Sequence, residues 1–234
     1  WFQGKTSKVE GLSAASRAPM VAYRNEFFVG SSNRVYRVFG TRAKVFVQCE
    51  SPVTALAIRG VELMIGTTNG LMGVSPNDAR VMTPLLTKLP CPSITALSSD
   101  VDSDLWVGTV NGAFRYTKNG QISYYASKRW LPDNRVISLQ KASDGDVYIL
   151  TEGGFCKINF EVMTLATKAA HYDEKVRLRH NRYGFAAELR LSRPGDPTSA
   201  EMIDTDNDGS WSNYYMASQA FRYAATAEPE ARTN

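Results

Sequence analysis

Three short stretches carry side chains whose types and spacing could do chemistry. The first is DTDNDG, residues 204–209, with Asp204, Asp206 and Asp208 at alternate positions and glycine at the sixth. Hard oxygen donors in a tight turn suit calcium, and this is how an EF-hand-like loop opens. The twelfth position of such a loop is Tyr215 rather than a bidentate glutamate, so a complete EF-hand is excluded. The stretch therefore reads either as a calcium or other hard-cation site, or as an acidic turn capping the next helix. Three carboxylates within five residues repel one another, and solvent, basic neighbours such as Arg190 and Arg193, or a cation must relieve them. They are expected to face a cleft between the preceding part of the chain and the helical segment that follows, close to His180 or Tyr183.

The second stretch is RLRHNRYG, which places His180, Asn181, Arg182 and Tyr183 in a row. Elimination from a uronate needs a group that neutralises the carboxylate, together with a base and an acid, and His180, Tyr183 and Arg182 are suitable catalytic parts, with Asn181 as a substrate contact. On a strand, adjacent residues point to opposite faces, which works against all four meeting one substrate; the competing reading is a hydrogen-bonded His180 among solvated arginines. The third stretch is SKRWLPDN, where Lys128, Arg129 and Trp130 set two cations beside a flat aromatic face. Such a surface suits an anionic sugar, although an aromatic residue ahead of Leu-Pro can equally serve as packing.

The remainder of the sequence must position these groups. With 234 residues and 43% hydrophobic content the chain can bury a sizeable core, and its net charge of +4 is spread without a long basic run, so it gives little support to nucleic-acid binding. No apolar stretch is long enough to span a bilayer. Cys49, Cys91 and Cys156 are too few and too irregular for a disulfide framework or a zinc site and are expected as free packing residues. The chain starts without methionine or a hydrophobic signal core and is expected to be a processed product or a piece of a longer protein.

Positioning comes from a repeat. Aligned on one position, NEFFVGSSNRVYRV from 25, VELMIGTTNGLMGV from 61, SDLWVGTVNGAFRY from 103 and GDVYILTEGGFCKI from 145 recur at intervals of 36, 42 and 42 residues. Short runs rich in valine, isoleucine, threonine and tyrosine alternate with turn signals such as Asp102-Ser103, Asn111-Gly112 and Asn119-Gly120, which predicts an antiparallel meander of four strands per repeat. Gly66 and Gly108 lie inside strands, where glycine marks a close approach of two backbones. A sheet of about 40 residues cannot bury both faces alone, so neighbours must stack, and the radial solution is an all-β propeller. Residues 93–126 and 135–167 are each expected to form a four-stranded blade, with Trp106 and Tyr148 at equivalent buried positions.

LPDNRVISLQKASDGDVYILTEGG (131–154) and LWVGTVNGAFRYTKNG (105–120) together resemble the two-component-regulator type of propeller repeat, with its Leu-Pro-x-Asn loop, Asp-Gly turn and Leu-Trp-Val-Gly-Thr strand. The resemblance covers roughly residues 16–168 and departs in the first repeat, which has SSNR at the Asn-Gly turn. It implies four blades of a larger ring, usually of seven, closed by further blades or by a second chain, with a closed ring of four blades as the less favoured alternative. Residues 169–209 then read as a junction and 210–234 as the start of a helical region, with Asp208 or Ser210 as helix cap. That order weakly resembles the start of an α/α-toroid polysaccharide lyase. It implies a secreted, extracellular or periplasmic carbohydrate-active protein acting on an anionic, uronate-containing polysaccharide, with most of the catalytic domain outside this chain. The alternative is a non-enzymatic recognition or assembly module of a sensor-like or extracellular structural protein.

Overall fold

The computed structural model describes residues 8–13, 17–99 and 104–233, so the expected turn at Asp102-Ser103 lies outside the described residues. The chain divides into two compact units, residues 1–160 and 161–234.

The first unit is a series of antiparallel sheets, each a simple meander. Strands β1 (Met20–Tyr23), β2 (Glu26–Ser31), β3 (Arg34–Phe39) and β4 (Arg42–Gln48) form the first blade. Strands β5 (Val53–Arg59), β6 (Glu62–Thr67), β7 (Gly70–Val74) and β8 (Val81–Leu86) form the second, and β9 (Ile94–Ser99), β10 (Leu105–Thr109), β11 (Gly112–Tyr116) and β12 (Ile122–Tyr125) the third. The fourth blade has three strands, β13 (Val136–Lys141), β14 (Val147–Thr151) and β15 (Gly154–Ile158). This is the mostly-β propeller architecture expected from the repeat.

The core lies between blades rather than inside one. Three clusters fill three seams. Phe28 and Val35 meet Val53, Leu56, Leu63 and Ile65 at the first, and Met64 and Leu71 meet Ile94, Leu105, Val107 and Phe114 at the second. At the third, Trp106, Ala113 and Tyr125 meet Val136, Leu139, Val147 and Ile149. Each seam has the same lock. A Cβ built on Gly30, Gly66 or Gly108 would lie 2.7, 2.6 or 2.5 Å from the branched side chain of Val53, Ile94 or Val136 in the next blade. Only a residue without a side chain leaves that space open.

Within the blades the repeat also places charge. Arg37 pairs with Glu26, Arg115 with Asp104 and Lys157 with Asp146, each cation on a strand and each carboxylate at or just before the start of the strand beside it, at positions that recur by 36 and 42 residues. The Lys157 ammonium hydrogen-bonds the Asp146 carboxylate and holds its pKa below the usual carboxylate range. The second blade breaks this series, with Gly73 at the cationic position and Glu62 accepting from the Thr83 hydroxyl at 3.0 Å.

Two expectations need correction. Residues 159–164 form no fourth strand, and helix α1 (Leu165–Arg179) begins instead. Thr164 caps it by accepting from the Thr167 N–H at 3.1 Å, and Ala166, Lys168, Ala169 and Ala170 are strong helix formers that outweigh the blade pattern there. Trp106 is 1% exposed, whereas Tyr148, at the equivalent place, is half-buried and stacks on Phe155 at 5.9 Å. Trp106 has a blade against it and Tyr148 faces outward from the last one. The three cysteines are free, Cys49 and Cys91 buried and Cys156 partly so.

The seam geometry sets an expected outcome. Gly108→Ala forces a methyl group against Val136 and should cost about 1–3 kcal/mol as overpacking. Gly209→Ala, where a Cβ meets nothing within 4 Å, should be nearly neutral by comparison. Urea unfolding of the two variants side by side measures the difference.

Candidate functional site

The inter-blade loop at residues 127–134 is a tight structure held from below. Leu131 is buried in the third seam, and the carbonyl of Ser127 accepts from the N–H groups of both Trp130 and Leu131 at 2.9 Å. Asn134 ties the loop to the third blade: its Oδ1 accepts from the Ser127 N–H at 2.6 Å, its Nδ2 donates to Asn111 Oδ1 at 3.0 Å, and its carbonyl accepts from Gly112 N–H at 2.6 Å. Anchored this way, the loop leaves Lys128, Arg129 and Trp130 exposed. Trp130 and buried Tyr125 meet at right angles with ring centres 5.1 Å apart, and the Arg129 guanidinium lies 5.8 Å from the Trp130 ring centre. Lys128 donates to the Pro132 carbonyl. Trp130 thus packs against the blade, as the packing reading expects, while all three side chains remain exposed on the loop.

The other candidates belong to the C-terminal unit. After α1 come two hairpins, β16 (Asn181–Arg182) with β17 (Phe185–Ala186) and β18 (Glu188–Leu191) with β19 (Ala200–Ile203), and then helix α2 (Asp208–Thr226). The stretch expected as a strand is therefore half helix. His180 ends α1 as its C-cap, and the turn that follows has Tyr183 at φ 52° and Gly184 at φ 91°, the positive pair that a two-residue hairpin requires.

This division separates the expected catalytic residues. His180 Nδ1 lies 3.0 Å from the Ala187 carbonyl, which can only accept, so Nδ1 carries the proton and Nε2 is left as the second polar position. The imidazole lines a cleft of about 410 Å³ with Val176, Ala186, Ala187, Glu188, Trp211, Tyr214, Tyr215 and Ser218. Tyr183 and Arg182 line a different cleft with Asn181, Met202 and Asp204. Tyr183 is 98% exposed, and Asn181 spends its Oδ1 on the Gly184 N–H at 2.9 Å. Base, acid and carboxylate-neutralising group do not converge on one position.

The acidic turn is organised by a residue other than those expected. Arg182 reaches Asp204 at 2.9 Å and Asp208 at 3.9 Å, while Arg193 pairs with Asp196. The Asp208 carboxylate accepts from the Thr205 hydroxyl at 3.0 Å and sits in the first turn of α2, where the helix dipole favours negative charge. Asp206 is exposed. Among the described residues, no three acidic, histidine or cysteine side chains stand close enough to share a metal ion. Asn207, rather than Asp208 or Ser210, is the N-cap of α2, and its side chain makes no capping bond.

A third constellation was not legible beforehand. Asp173, at the middle of α1, accepts from the Tyr215 hydroxyl at 2.9 Å and Gln219 Nε2 at 2.5 Å, and pairs with Arg177 and Arg222 at 3.3 Å each. Arg177 and Arg222 in turn hold Glu230, whose carboxyl is kept below its usual pKa chiefly by the bond from Arg177. Burial first, and the bond to Asp173 second, push the Tyr215 phenol up to about 12. Tyr215, Gln219 and Arg222 follow helical spacing on α2, but their partner lies on a helix that the sequence pattern had assigned to a junction. Tyr215→Phe should lose about 1 kcal/mol at neutral pH. A raised phenol pKa contributes stability that is complete below the unfolded value near 10 and is lost as pH rises through about 12. The advantage over the phenylalanine variant should fade across that window in urea unfolding at successive pH values.

No protein family matches the sequence, and no curated protein matches it either. Solved structures do. The extracellular domain of the hybrid two-component system BT3049 from B. thetaiotaomicron superposes with a TM-score of 0.54 at 16% identity, over 84% of this chain and 27% of that one. That of BT4673 from the same organism gives 0.53 at 15% identity, over 79% and 25%. A catalytically inactive virginiamycin B lyase from Staphylococcus aureus, solved with quinupristin, gives 0.51 at 12% identity, over 69% and 61%. The chain spans about a quarter of the length of the two extracellular domains, and the likeness establishes the propeller-type fold.

Proposed function

We propose that this chain is a non-enzymatic recognition module built of propeller blades, working outside the cytoplasm in a sensor-like protein, and that the loop at Lys128, Arg129 and Trp130 meets an anionic saccharide. The observation that carries the reading is the fold shared with two extracellular domains of two-component systems over about four-fifths of the chain. Fold alone does not decide function, since the same architecture also serves a lyase. The geometry of the candidate sites favours the same reading. A uronate lyase requires its base, its acid and its carboxylate clamp on one substrate, and here His180 lines one cleft while Arg182 and Tyr183 line another. The loop offers what binding without chemistry needs: two cations and an aromatic face on a backbone fixed by Leu131 and Asn134. Arg182 already supplies counter-charge to Asp204 and Asp208, so the reading requires no calcium.

The test is calorimetric titration of the chain with uronate oligosaccharides, paired with an ultraviolet assay for the unsaturated product of elimination. Binding without turnover is expected, weakened about tenfold or more by the pair Lys128→Ala and Arg129→Ala, in keeping with the loss of at least 1.4 kcal/mol. Turnover that disappears in His180→Ala would return the chain to the enzymes. Binding that ignores the loop substitutions, or no binding at all, would remove the loop from the reading.

A further inference from the structure

Both outer faces of the blade series depart from the lock that joins the inner ones, and they depart in complementary ways. At the inner seams the earlier blade offers a bare glycine and the later blade rests a branched side chain on it: Val53 on Gly30, Ile94 on Gly66, Val136 on Gly108. Counting by the same intervals, the fourth blade has Leu150 at the glycine position, paired with Ser138 as Gly108 is with Ala96. Beside it stands Phe155, where the preceding blades have Val35, Leu71 and Ala113. Leu150 is 41% exposed and Phe155 65%, with Tyr148 stacked on Phe155. A further blade bringing a branched residue to this point would collide with Leu150.

The first blade lacks that residue. Within each blade the seam glycine also touches Pro19, Ala55 or Ala96, and the branched residue stands two positions before the last two of these, at Val53 and Ile94. Two positions before Pro19 stands Arg17, which is exposed. The rest of this face is of the seam type. Phe27 occupies the position of Leu63, Leu105 and Val147, all buried, and Met20 that of Leu56, Leu97 and Leu139, of which Leu97 is half-buried and the other two buried. Yet Phe27 is 45% exposed and Met20 64%. Of the four blades, the first is the one whose approaching face carries no branched plug, and the fourth the one whose receiving face carries no socket. Since both faces are open, they do not meet within one chain.

We infer that the outer face of the fourth blade docks on the outer face of the first blade of a second copy, with Leu150 supplying from the receiving side the volume that Val53, Ile94 and Val136 supply from the approaching side at the inner seams. Two copies then share two identical seams, related by a twofold axis. The proposed seam continues an interface already seen three times and is independent of any ligand at the loop.

Light scattering behind size exclusion reads the outcome. The chain is expected at twice its 25.9 kDa. Arg17→Val installs a plug that must strike Leu150 and should raise the dimer dissociation constant at least tenfold; adding Leu150→Gly to it recreates an inner seam across the two chains and should restore the dimer. Circular dichroism and the fluorescence of buried Trp106 report that each variant is folded. A monomer at the highest soluble concentration, a ladder of larger species, or a dimer indifferent to Arg17→Val would each overturn the inference. So would a folded Arg17→Val monomer that Leu150→Gly fails to rescue.

Discussion

A branched side chain from the second, third and fourth blades rests on the bare backbone of a glycine in the blade before it, and the packing of the repeat unit follows from that contact. The lock brings sheets close enough for Phe28, Met64 and Trp106 to reach the strands of the next blade and become fully buried there. It also fixes which face of each strand is apolar, because a shift by one residue would replace the glycine with a bulky neighbour and turn every side chain over. The charged pairs Glu26–Arg37, Asp104–Arg115 and Asp146–Lys157 sit beside this arrangement as rungs within single sheets, half-exposed and of secondary weight.

Much of this was legible in the sequence. Glycine inside a strand pattern, recurring at 42 residues with Asn-Gly after it, has few physical explanations other than a repeated close approach, and Gly66 and Gly108 are where the blades meet. The end of the series was harder to read. Phe155 to Ile158 still alternate, and nothing in FEVMT forbids another strand; the decision falls to Thr164 as a cap and to the alanines after it, a local helical preference that the repeat register obscured. The rungs were hidden for a different reason. Each joins residues 11 apart whose partnership depends on which strand positions face each other, and pairing register is visible only once the hairpin is built.

The candidate sites divide along the same line. Lys128, Arg129 and Trp130 are contiguous, so a reading of neighbours in sequence found them together. His180, Arg182 and Tyr183 are equally contiguous, yet a helix end and a hairpin turn between them send them to separate clefts. Contiguity is informative on a loop and misleading across a change of secondary structure. Asp173 shows the converse: its partners Tyr215, Gln219 and Arg222 are more than 40 residues away, and no motif announces a group whose role is to gather donors from another helix.

The glycine lock has an evolutionary side. Because every inner blade presents the same receiving face and the same approaching face, the second or third can be duplicated or deleted in the gene without creating a new kind of junction, and each blade senses only its immediate neighbours. The first and fourth blades differ, since Arg17 and Leu150 stand where the other blades have a branched residue and a glycine. Copy number can therefore drift among blades that share the lock, while the first and fourth carry residues of their own at those positions.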